Sequence, residues 1–556
     1  MKETYLRLME LSLSAYSDAH IDAYFDSVKR DRLREHGFPR LTANIGILIA
    51  HGRRTDLYSR FVEMMDFCCA SIPNGKAAND FSVREIVACL SEVEAALVVP
   101  EEKIEEWKAL LRTIVPETCY DVYAKTPTDP VRNWALFTAV SEFYRQRYGL
   151  CNSEAFIDVQ LASQLQWIDE NGMYMDHSGT EIHQPMMYDL VPRGLFSLIL
   201  HFGYRGKYYE TIDAHLKKAA LLTLRMQSVS GEIPFGGRSN QFLHNEAWML
   251  CVYEYEANRY KREGNTALAG EFKAAVARAM ALTEQWLHES PIRHIKNRFP
   301  TETKFGCEKY AYFDKYMITT ASNLYAAYQM CDDTIAAADS ESTAPVAAET
   351  SEHFHKVFLK YGGYALEFDT NADPGYDACG LGRVHRRGAP SALCLSVPCP
   401  PKPKYVVDLA PRGLSICPGV YRDGEWHFAT EVPWTCSALS EAQASVSFTC
   451  VPYSEAAVES DYSLSEDGVR IAVRGDGTVG CMLPAFCFDG EASPVIAAEA
   501  QSLTVSYRGW VCRYETDGEI VDLGYKAANR HGHYRAFAAV GEDEIAVTVR
   551  ILKEAE

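Results

Sequence analysis

Two stretches of the sequence collect side chains that could carry out acid–base chemistry on a polar substrate. The first runs from Gly172 to Arg193 and is a long polar connection between apolar segments. It carries carboxylates, imidazoles, a phenol and a guanidinium, at Asp176, His177, Glu181, His183, Tyr188, Asp189 and Arg193. Long polar connections between helices commonly carry function or move. A structural role is the alternative for Arg193, which could simply pair with Asp189.

The second stretch runs from Pro234 to Glu246 and begins with two glycines, which let the backbone turn tightly or approach a ligand. Its polar residues are Arg238, Asn240, Gln241, His244, Asn245 and Glu246. The structural alternative is that Asn245 caps the following helix while Glu246 complements the helix dipole. Asn297-Arg298 is a third and weaker candidate. The histidines lack metal-site spacing, so no metal and no cofactor are predicted.

Helices must position both stretches, because residues 1 to about 330 have helical periodicity. Ile212, Leu216, Ala219, Leu222 and Met226 recur at intervals of three and four and form one helix face. Further helices are predicted at 81–97, 103–114, 130–148, 153–168, 246–261 and 317–331. Helices of this length joined by short turns predict a closed ring of helical hairpins, an (α/α) toroid over residues 1–335.

Residues 336–352 are rich in alanine, serine, threonine and acidic residues, and we predict them to be a linker. After this segment, the hydrophobic residues recur with a period of two. Strands are predicted at 405–408, 444–448, 468–473, 503–507 and 545–549. Many short strands without intervening helices indicate an antiparallel β-sandwich over 353–556. The predicted fold class is therefore α+β, with the two kinds of structure segregated along the chain.

Composition excludes several classes of function. The chain has 556 residues, of which 47% are hydrophobic and 23% charged, as in ordinary globular proteins. No apolar run approaches the roughly 20 residues of a membrane helix, and the first residues do not resemble a signal peptide, so a cytoplasmic protein without a membrane partner is expected. The net charge of −20 makes nucleic acid and long polyanions poor partners. A homo-oligomer is compatible with the sequence.

A helical toroid followed by a β-sandwich resembles the (α/α)-barrel carbohydrate-active enzymes. The runs GMYMD at 172–176, MYDLVPR at 187–193, GEIPFGGRSNQFLHNEA at 231–247 and IKNRF at 295–299 are similar to glycoside hydrolase family 154, the β-glucuronidase-like enzymes. The likeness covers roughly residues 130–320. The architecture more distantly resembles heparinase II/III-type and alginate-type lyases. The resemblance implies a substrate that contains uronic acid.

The residues fit such a substrate. A guanidinium is the natural receptor for a sugar carboxylate, and Arg238 and Arg193 are the leading candidates. Sugar hydroxyls need short polar partners, which Asn240, Gln241, His244 and Asn245 supply. His183 and Arg298 complete the predicted substrate-binding set.

The sequence predicts a glycoside hydrolase that removes glucuronic acid, or a related uronic acid, from short oligosaccharides. Such an enzyme needs two carboxyl groups across the scissile bond. The candidates are Glu246 together with Asp189, Asp176 or Glu181. The alternative is a uronate lyase, in which Tyr188 with His183 or His244 acts as the base beside Asn240 and Arg238. A non-catalytic carbohydrate-binding protein is the second alternative.

Overall fold

The computed structural model describes residues 1–31, 33, 36–74, 79–120, 133–176, 182–338 and 344–554. The first half of the chain is helical. Its α-helices are α1 Lys2–Leu13, α2 Asp18–Arg30, α3 Gly37–Ala50, α4 Tyr58–Ser71, α5 Asn79–Ala95, α6 Glu101–Arg112, α7 Pro116–Cys119, α8 Asn133–Arg147, α9 Glu154–Leu165, α10 Met186–His201, α11 Tyr209–Met226, α12 His244–Arg262, α13 Thr266–Leu287 and α14 Phe313–Met330. Each helix predicted from the periodicity is present, with ends that differ by a few residues.

Six of these helices form a closed inner ring. α3 packs against α5, α5 against α8, α8 against α10, α10 against α12, α12 against α14, and α14 returns to α3. Outer helices cover this ring, since α1 lies on α14, α4 on α3, α9 on α8 and α13 on α12. The predicted ring of helical hairpins is therefore what the helical half forms.

A buried polar interaction holds two outer helices, α1 and α13, on α12 of the inner ring. The Tyr5 hydroxyl on α1 donates to the carboxylate of Glu254 on α12 over 2.9 Å, and the Lys273 ammonium on α13 donates to the same carboxylate over 2.7 Å. Lys273 and Glu254 are both fully buried. A charge buried this deeply is tolerated only when it is paired, so this contact fixes how α1, α12 and α13 meet.

The second half of the chain is antiparallel β-structure. Its strands are β1 Val346–Glu349, β2 Lys356–Tyr361, β3 Tyr364–Asp369, β4 Gly380–Arg386, β5 Pro418–Arg422, β6 Glu425–Phe428, β7 Thr435–Ser440, β8 Ser445–Tyr453, β9 Ala456–Ser465, β10 Gly468–Phe488, β11 Val495–Ala498, β12 Ser502–Tyr507, β13 Trp510–Thr516, β14 Glu519–Ala528 and β15 His533–Lys553. They form a four-stranded sheet in the order β1-β2-β3-β4 and an eleven-stranded sheet around β10 and β15. The segregated α+β fold class is confirmed.

One predicted strand is wrong. Residues 405–408 alternate like a strand but lie in an irregular connection against the helical half. The Val406 amide donates to the Cys307 carbonyl, and the Gly306 amide donates to the Val406 carbonyl. The Tyr405 ring lies 4.1 Å under the Arg530 guanidinium. The alternation thus reflects a contact between the two halves rather than a sheet. The linker predicted at 336–352 contains β1.

No helix of the described residues combines the length and apolar character needed to span a bilayer.

The buried contact between Lys273 and Glu254 gives a stability prediction. Lys273→Met leaves the Glu254 carboxylate buried without its cation and should lower the free energy of unfolding by about 3–5 kcal/mol. Lys217→Met removes a lysine whose exposed partner is Glu263 and should leave stability unchanged. Urea unfolding followed by circular dichroism measures both, and equal stabilities would contradict the assigned role of the buried pair.

Candidate functional site

The N-terminal ends of the inner helices meet at one rim of the ring. His36, which precedes α3, lies 4.8 Å from Phe81 near the start of α5, and Phe81 lies 5.1 Å from Trp134 at the start of α8. Tyr316 at the start of α14 lies 5.3 Å from His244, the first residue of α12, and 6.4 Å from His36. Helix N-termini carry partial positive charge, so this rim favours an anionic ligand despite the acidic chain.

Side chains from both predicted stretches converge at this rim. We call them the rim cluster: Asn133, Asp176, Tyr188, Arg238, Ser239 and Tyr310. Asn133 begins α8, Tyr188 lies in the first turn of α10, Arg238 and Ser239 precede α12, and Tyr310 precedes α14. The structure therefore brings together two stretches that are some fifty positions apart in the sequence.

Arg238 is the guanidinium of the rim cluster. Its Nη2 pairs with the buried Asp176 carboxylate, whose other oxygen accepts a hydrogen bond from the Asn133 amide over 2.7 Å. The guanidinium also lies 4.4 Å from the centre of the Tyr188 ring. Its Nε is buried without a partner among the described residues, whereas 32% of the side chain as a whole is exposed. Asp176 thus orients the group without using all of its donors.

Tyr188 belongs to a chain of three hydroxyl groups. Its phenol lies 3.0 Å from the Ser239 hydroxyl, which lies 2.6 Å from the phenol of Tyr310. Burial raises the pKa of Tyr188, with a further rise from the Asp176 charge and an opposing effect from Arg238. The chain links a partly buried phenol to Tyr310, which is 37% exposed, and could carry a proton between Tyr188 and solvent.

The loop that carries Arg238 and Ser239 is held by the β half. The Gly237 amide donates to Asp377 over 2.8 Å, and the Ser239 amide donates to Glu308 over 2.7 Å. Glu308 is in turn bound by both terminal nitrogens of Arg530. Gly237 has a φ of +76°, and an added Cβ would lie 2.8 Å from Pro185. A side chain at this position would be strained and would clash.

Exposed aromatic side chains stand at the same rim. Trp134 is 40% exposed, Tyr310 37% and Tyr312 48%. Large aromatic groups are usually buried, and flat aromatic faces suit the apolar face of a sugar ring. The rim therefore combines a stacking surface with a guanidinium and a phenol.

Asp189 and Arg193 do not belong to the rim cluster. Arg193 Nε donates to Asp189 over 2.8 Å, a second guanidinium nitrogen pairs with the other carboxylate oxygen, and a third donates to Thr223. Asp189 also accepts from the Tyr174 amide. Both side chains are buried. This closed contact within α10 favours a structural role and argues against the prediction that Arg193 receives a sugar carboxylate and Asp189 acts in catalysis.

Glu246 also lies outside the rim cluster. It is fully buried and accepts from the Lys296 ammonium over 2.5 Å, and Glu232 lies 4.0 Å from the same ammonium. Burial raises the pKa of Glu246. Burial also acts to raise the pKa of Glu232, but the nearby Lys296, His385 and Arg383 outweigh it, and the pKa of Glu232 is lowered. This buried pairing argues against the predicted use of Glu246 in a carboxyl pair with Asp189 or Asp176.

Arg298 lies at a separate cavity between the two halves. It pairs with both oxygens of Glu289, and its guanidinium lies 5.1 Å from the Trp286 ring. The cavity has a volume of about 330 Å³, and Glu232 and Lys296 also line it. Arg298 is therefore not part of the rim cluster.

The side-chain amides that follow Arg238 make hydrogen bonds within their own loop. Asn240 donates to the Pro234 carbonyl over 3.1 Å, Gln241 donates to Asn240, and Asn245 donates to the Ser239 carbonyl over 3.0 Å. All three are buried. Asn245 is the second residue of α12, whose N-cap is Leu243, so it does not cap that helix. Gln241 Oε1 and Asn245 Oδ1 have no partner among the described residues, and the predicted contacts of these amides with sugar hydroxyls stay a prediction.

The histidines have different positions. His244 is buried, stacks on Phe242 at 5.7 Å, and has an Nδ1 without a partner among the described residues. Burial and nearby cations lower its pKa well below the ordinary value, so it is neutral. His183 faces the β half, with its Nδ1 3.4 Å from the Nε2 of His355. Glu181 and His177 lie outside the described residues.

Sequence reasoning did not single out four of the residues that build the site. Asn133, Ser239, Glu308 and Tyr310 carried no motif, because each acts through a partner distant in sequence. Arg530 belongs to the basic segment 529–535, which stands out in an acidic chain. That contrast was the available signal for a contact with the helical half.

No protein-family model matches the chain, and no curated protein matches it either. Solved structures do match it. Heparan sulfate lyase HepC from Pedobacter heparinus has a TM-score of 0.45 and 10% identity, over 93% of this chain and 76% of that one. Chondroitin AC lyase from Streptomyces coelicolor A3, in complex with chondroitin sulphate, has a TM-score of 0.43 and 11% identity, over 98% and 83%.

These comparisons do not show glycoside hydrolase family 154, whereas heparinase-type lyases, the more distant resemblance, are among the structural neighbours. Likeness at this level of identity and TM-score carries no information about chemistry. The function is therefore argued from the side chains.

The surroundings of Tyr188 predict how its ionisation responds to mutation. Asp176→Asn removes a negative charge that raises the pKa of Tyr188, so the pKa should fall. Arg238→Gln removes a positive charge that lowers it, so the pKa should rise. Phenolate absorbance during alkaline titration, taken as the difference from the matching Tyr188→Phe variant, measures both shifts. Shifts of the same sign would contradict the geometry of the rim cluster.

Proposed function

We propose that the protein is a lyase that cleaves short uronate-containing oligosaccharides by β-elimination at the rim cluster. One observation carries this proposal. The Arg238 guanidinium lies 4.4 Å from the Tyr188 ring at an exposed rim, so that a carboxylate receptor and a proton-carrying phenol share one site. Glu246 and Asp189, which a hydrolase would need as free carboxyl groups, are each closed in a buried ion pair.

Arg238 is the group proposed to bind the sugar carboxylate. A guanidinium with unused donors binds an oxyanion by charge-assisted hydrogen bonds. Drawing charge from the carboxylate makes the proton on C5 of the uronate more acidic, because the developing negative charge is stabilised. Asp176 and Asn133 keep the guanidinium in position. The inner-helix N-termini add positive potential at the same place.

Tyr188 is proposed to move the proton. In the resting protein its raised pKa keeps the phenol protonated. Its proton leaves through Ser239 and Tyr310 towards solvent, and the phenolate then takes the C5 proton. The C5–H electron pair forms the C4=C5 double bond while the C4–O bond breaks. Tyr188 then returns this proton to the leaving oxygen, and its phenolate regains a proton from solvent through Tyr310 and Ser239. Atoms and charge therefore balance over one cycle without water as a reactant.

Substrate length follows from the charge of the protein. With a net charge of −20, the chain repels an extended polyanion. A short oligosaccharide avoids this repulsion while it places one carboxylate at Arg238 and a sugar ring on the exposed aromatics. We therefore infer that short uronate oligosaccharides are the substrates.

Hydrolysis is the second candidate, supported by a different observation. Glu246 and Glu232 lie on either side of the Lys296 ammonium, and their pKa values are displaced in opposite directions. Such divergence is typical of an acid and a base in a glycosidase. Glu232 lines the cavity beside Arg298, but Glu246 has no exposed surface. Elimination is the better supported reaction for this reason.

Two substitutions at the rim test elimination. Tyr188→Phe removes the proton carrier and should lower kcat by at least about 100-fold. Arg238→Ala removes the carboxylate receptor and should cost about 1.5–3 kcal/mol in kcat/KM. The assay follows ultraviolet absorbance of the unsaturated uronate formed from glucuronate oligosaccharides.

Tyr312→Phe is the matched control, because Tyr312 is an exposed phenol of the same rim outside the hydroxyl chain. It should keep wild-type activity. Full activity of Tyr188→Phe, or release of saturated glucuronic acid without the absorbance band, would refute the proposal.

Glu246→Gln separates the two candidate reactions. Elimination at the rim should continue within a few-fold of the wild-type rate, because Lys296 keeps Glu232 as a charged neighbour and the rim cluster is unchanged. A hydrolase that uses Glu246 would lose its activity in this variant. Activity and thermal stability are measured on the same sample, so that loss of folding is not mistaken for loss of catalysis.

A further inference from the structure

A second cavity lies where the end of α11, the middle of α13 and strand β2 meet. Its volume is about 320 Å³. Its lining includes four cationic and two acidic side chains, Arg225, Arg278, Lys360, Arg387, Glu271 and Glu441. An excess of cations is unusual in a chain with a net charge of −20. None of these residues belongs to the rim cluster.

Two of the cations have no carboxylate partner among the described residues. Lys360 donates to the carbonyl oxygens of Leu224 and Gln227, at 3.2 and 3.0 Å, which leaves one of its three N–H groups unused. Arg278 Nε donates to the Gln227 side chain over 3.1 Å, and its two Nη groups have no hydrogen-bond partner in the described part of the chain. By contrast, Arg225 pairs with Glu441 at 3.2 Å.

The cations destabilise one another in the absence of a counter-ion. Burial, with the charges of Arg278 and Arg225, lowers the pKa of Lys360 to about 7. Burial and Arg387 lower the pKa of Arg278. Partly buried charges normally pair with an opposite charge. A bound anion would relieve this repulsion and would accept the unused donors.

We propose that this cavity binds an oxyanion, which Arg278 and Lys360 hold by charge-assisted hydrogen bonds. A carboxylate, a sulfate and a phosphate share the required chemistry, since each offers oxygens that a guanidinium and an ammonium can both reach. The same cavity is also lined by Ser228, Tyr361 and Tyr364. Its volume of about 320 Å³ leaves room for a group larger than the anion itself. The ligand is either a free inorganic oxyanion or a sugar acid that contributes its carboxylate.

Calorimetric titration of the full-length protein at constant ionic strength tests the site. Sulfate, inorganic phosphate and glucuronate are the probes, and glucuronate is titrated into the Arg238→Ala variant so that the rim cannot contribute. At least one probe should bind saturably, and Arg278→Gln should weaken that binding at least tenfold. Glucuronate binding would identify a sugar acid as the ligand, whereas binding of only sulfate or phosphate would identify an inorganic ion.

Lys217→Gln is the matched control, because it makes the same change in net charge at an exposed residue that does not line the cavity. It should bind the probe as the wild type does. Arg278→Lys is a second variant that keeps the charge and should bind more tightly than Arg278→Gln. Absence of saturable binding for all three probes, or equal weakening by Lys217→Gln, would overturn the proposal.

The elimination assay keeps this proposal separate from the proposed function. Arg278→Gln should leave elimination of short substrates unchanged, and Tyr188→Phe should leave anion binding unchanged. If anion binding fails while elimination is observed, only the proposed anion site is wrong. If elimination fails while anion binding is observed, only the proposed function is wrong.

Discussion

The ion pair between Glu308 and Arg530 is the interaction on which the arrangement of the site depends. Glu308 belongs to the helical half, Arg530 to the β half, and both are almost completely buried. Glu308 also accepts the Ser239 amide, while Arg530 reaches the carbonyl oxygens of Gly306 and Gly237. The loop that presents Arg238 is thus held by the association of the two halves. The β half has a direct part in the site although the chemistry lies on helical residues.

The distribution of paired carboxylates decides which chemistry the rim can support. Asp176 forms an ion pair with Arg238, Glu308 with Arg530, and Asp189 with Arg193. A glycosidase needs one carboxyl group free to give a proton and another free to attack or to activate water. In the rim cluster, the groups still able to bind or exchange a proton with a substrate are the Arg238 guanidinium and the hydroxyl chain from Tyr188 to Tyr310. That inventory suits proton abstraction beside a bound carboxylate.

The sequence was sufficient to predict the general fold because hydrophobic periodicity is a local property. The helical half and the strand half were distinguishable from the change of period, and the helices that were predicted individually lie within a few residues of their observed bounds. The predicted strands 468–473 and 545–549 are only parts of the long strands β10 and β15. The false strand at 405–408 shows the limit, since its alternation comes from packing against the helical half. The contact of Tyr5 and Lys273 with Glu254 joins positions far apart in the chain, and no local pattern reveals it.

The candidate site was predictable only in part for the same reason. Asp176, Tyr188 and Arg238 were found because they are polar residues in long connections. Glu246 and Arg193 looked equally suitable by residue type, and only their buried partners distinguish them. Lys296, which binds Glu246, lies fifty positions further along the chain. The sequence identifies which side chains could react, but burial and pairing determine which of them are available.

The most direct test of the central claim is to follow oxygen during cleavage. A glucuronate oligosaccharide is incubated with the protein in water enriched in ¹⁸O, and the products are analysed promptly by mass spectrometry. Elimination at the rim predicts a product pair whose summed mass equals that of the substrate, with a dehydrated uronate and no ¹⁸O introduced by cleavage. Two saturated products whose summed mass includes one added water, with ¹⁸O at the cleaved bond, would contradict the account.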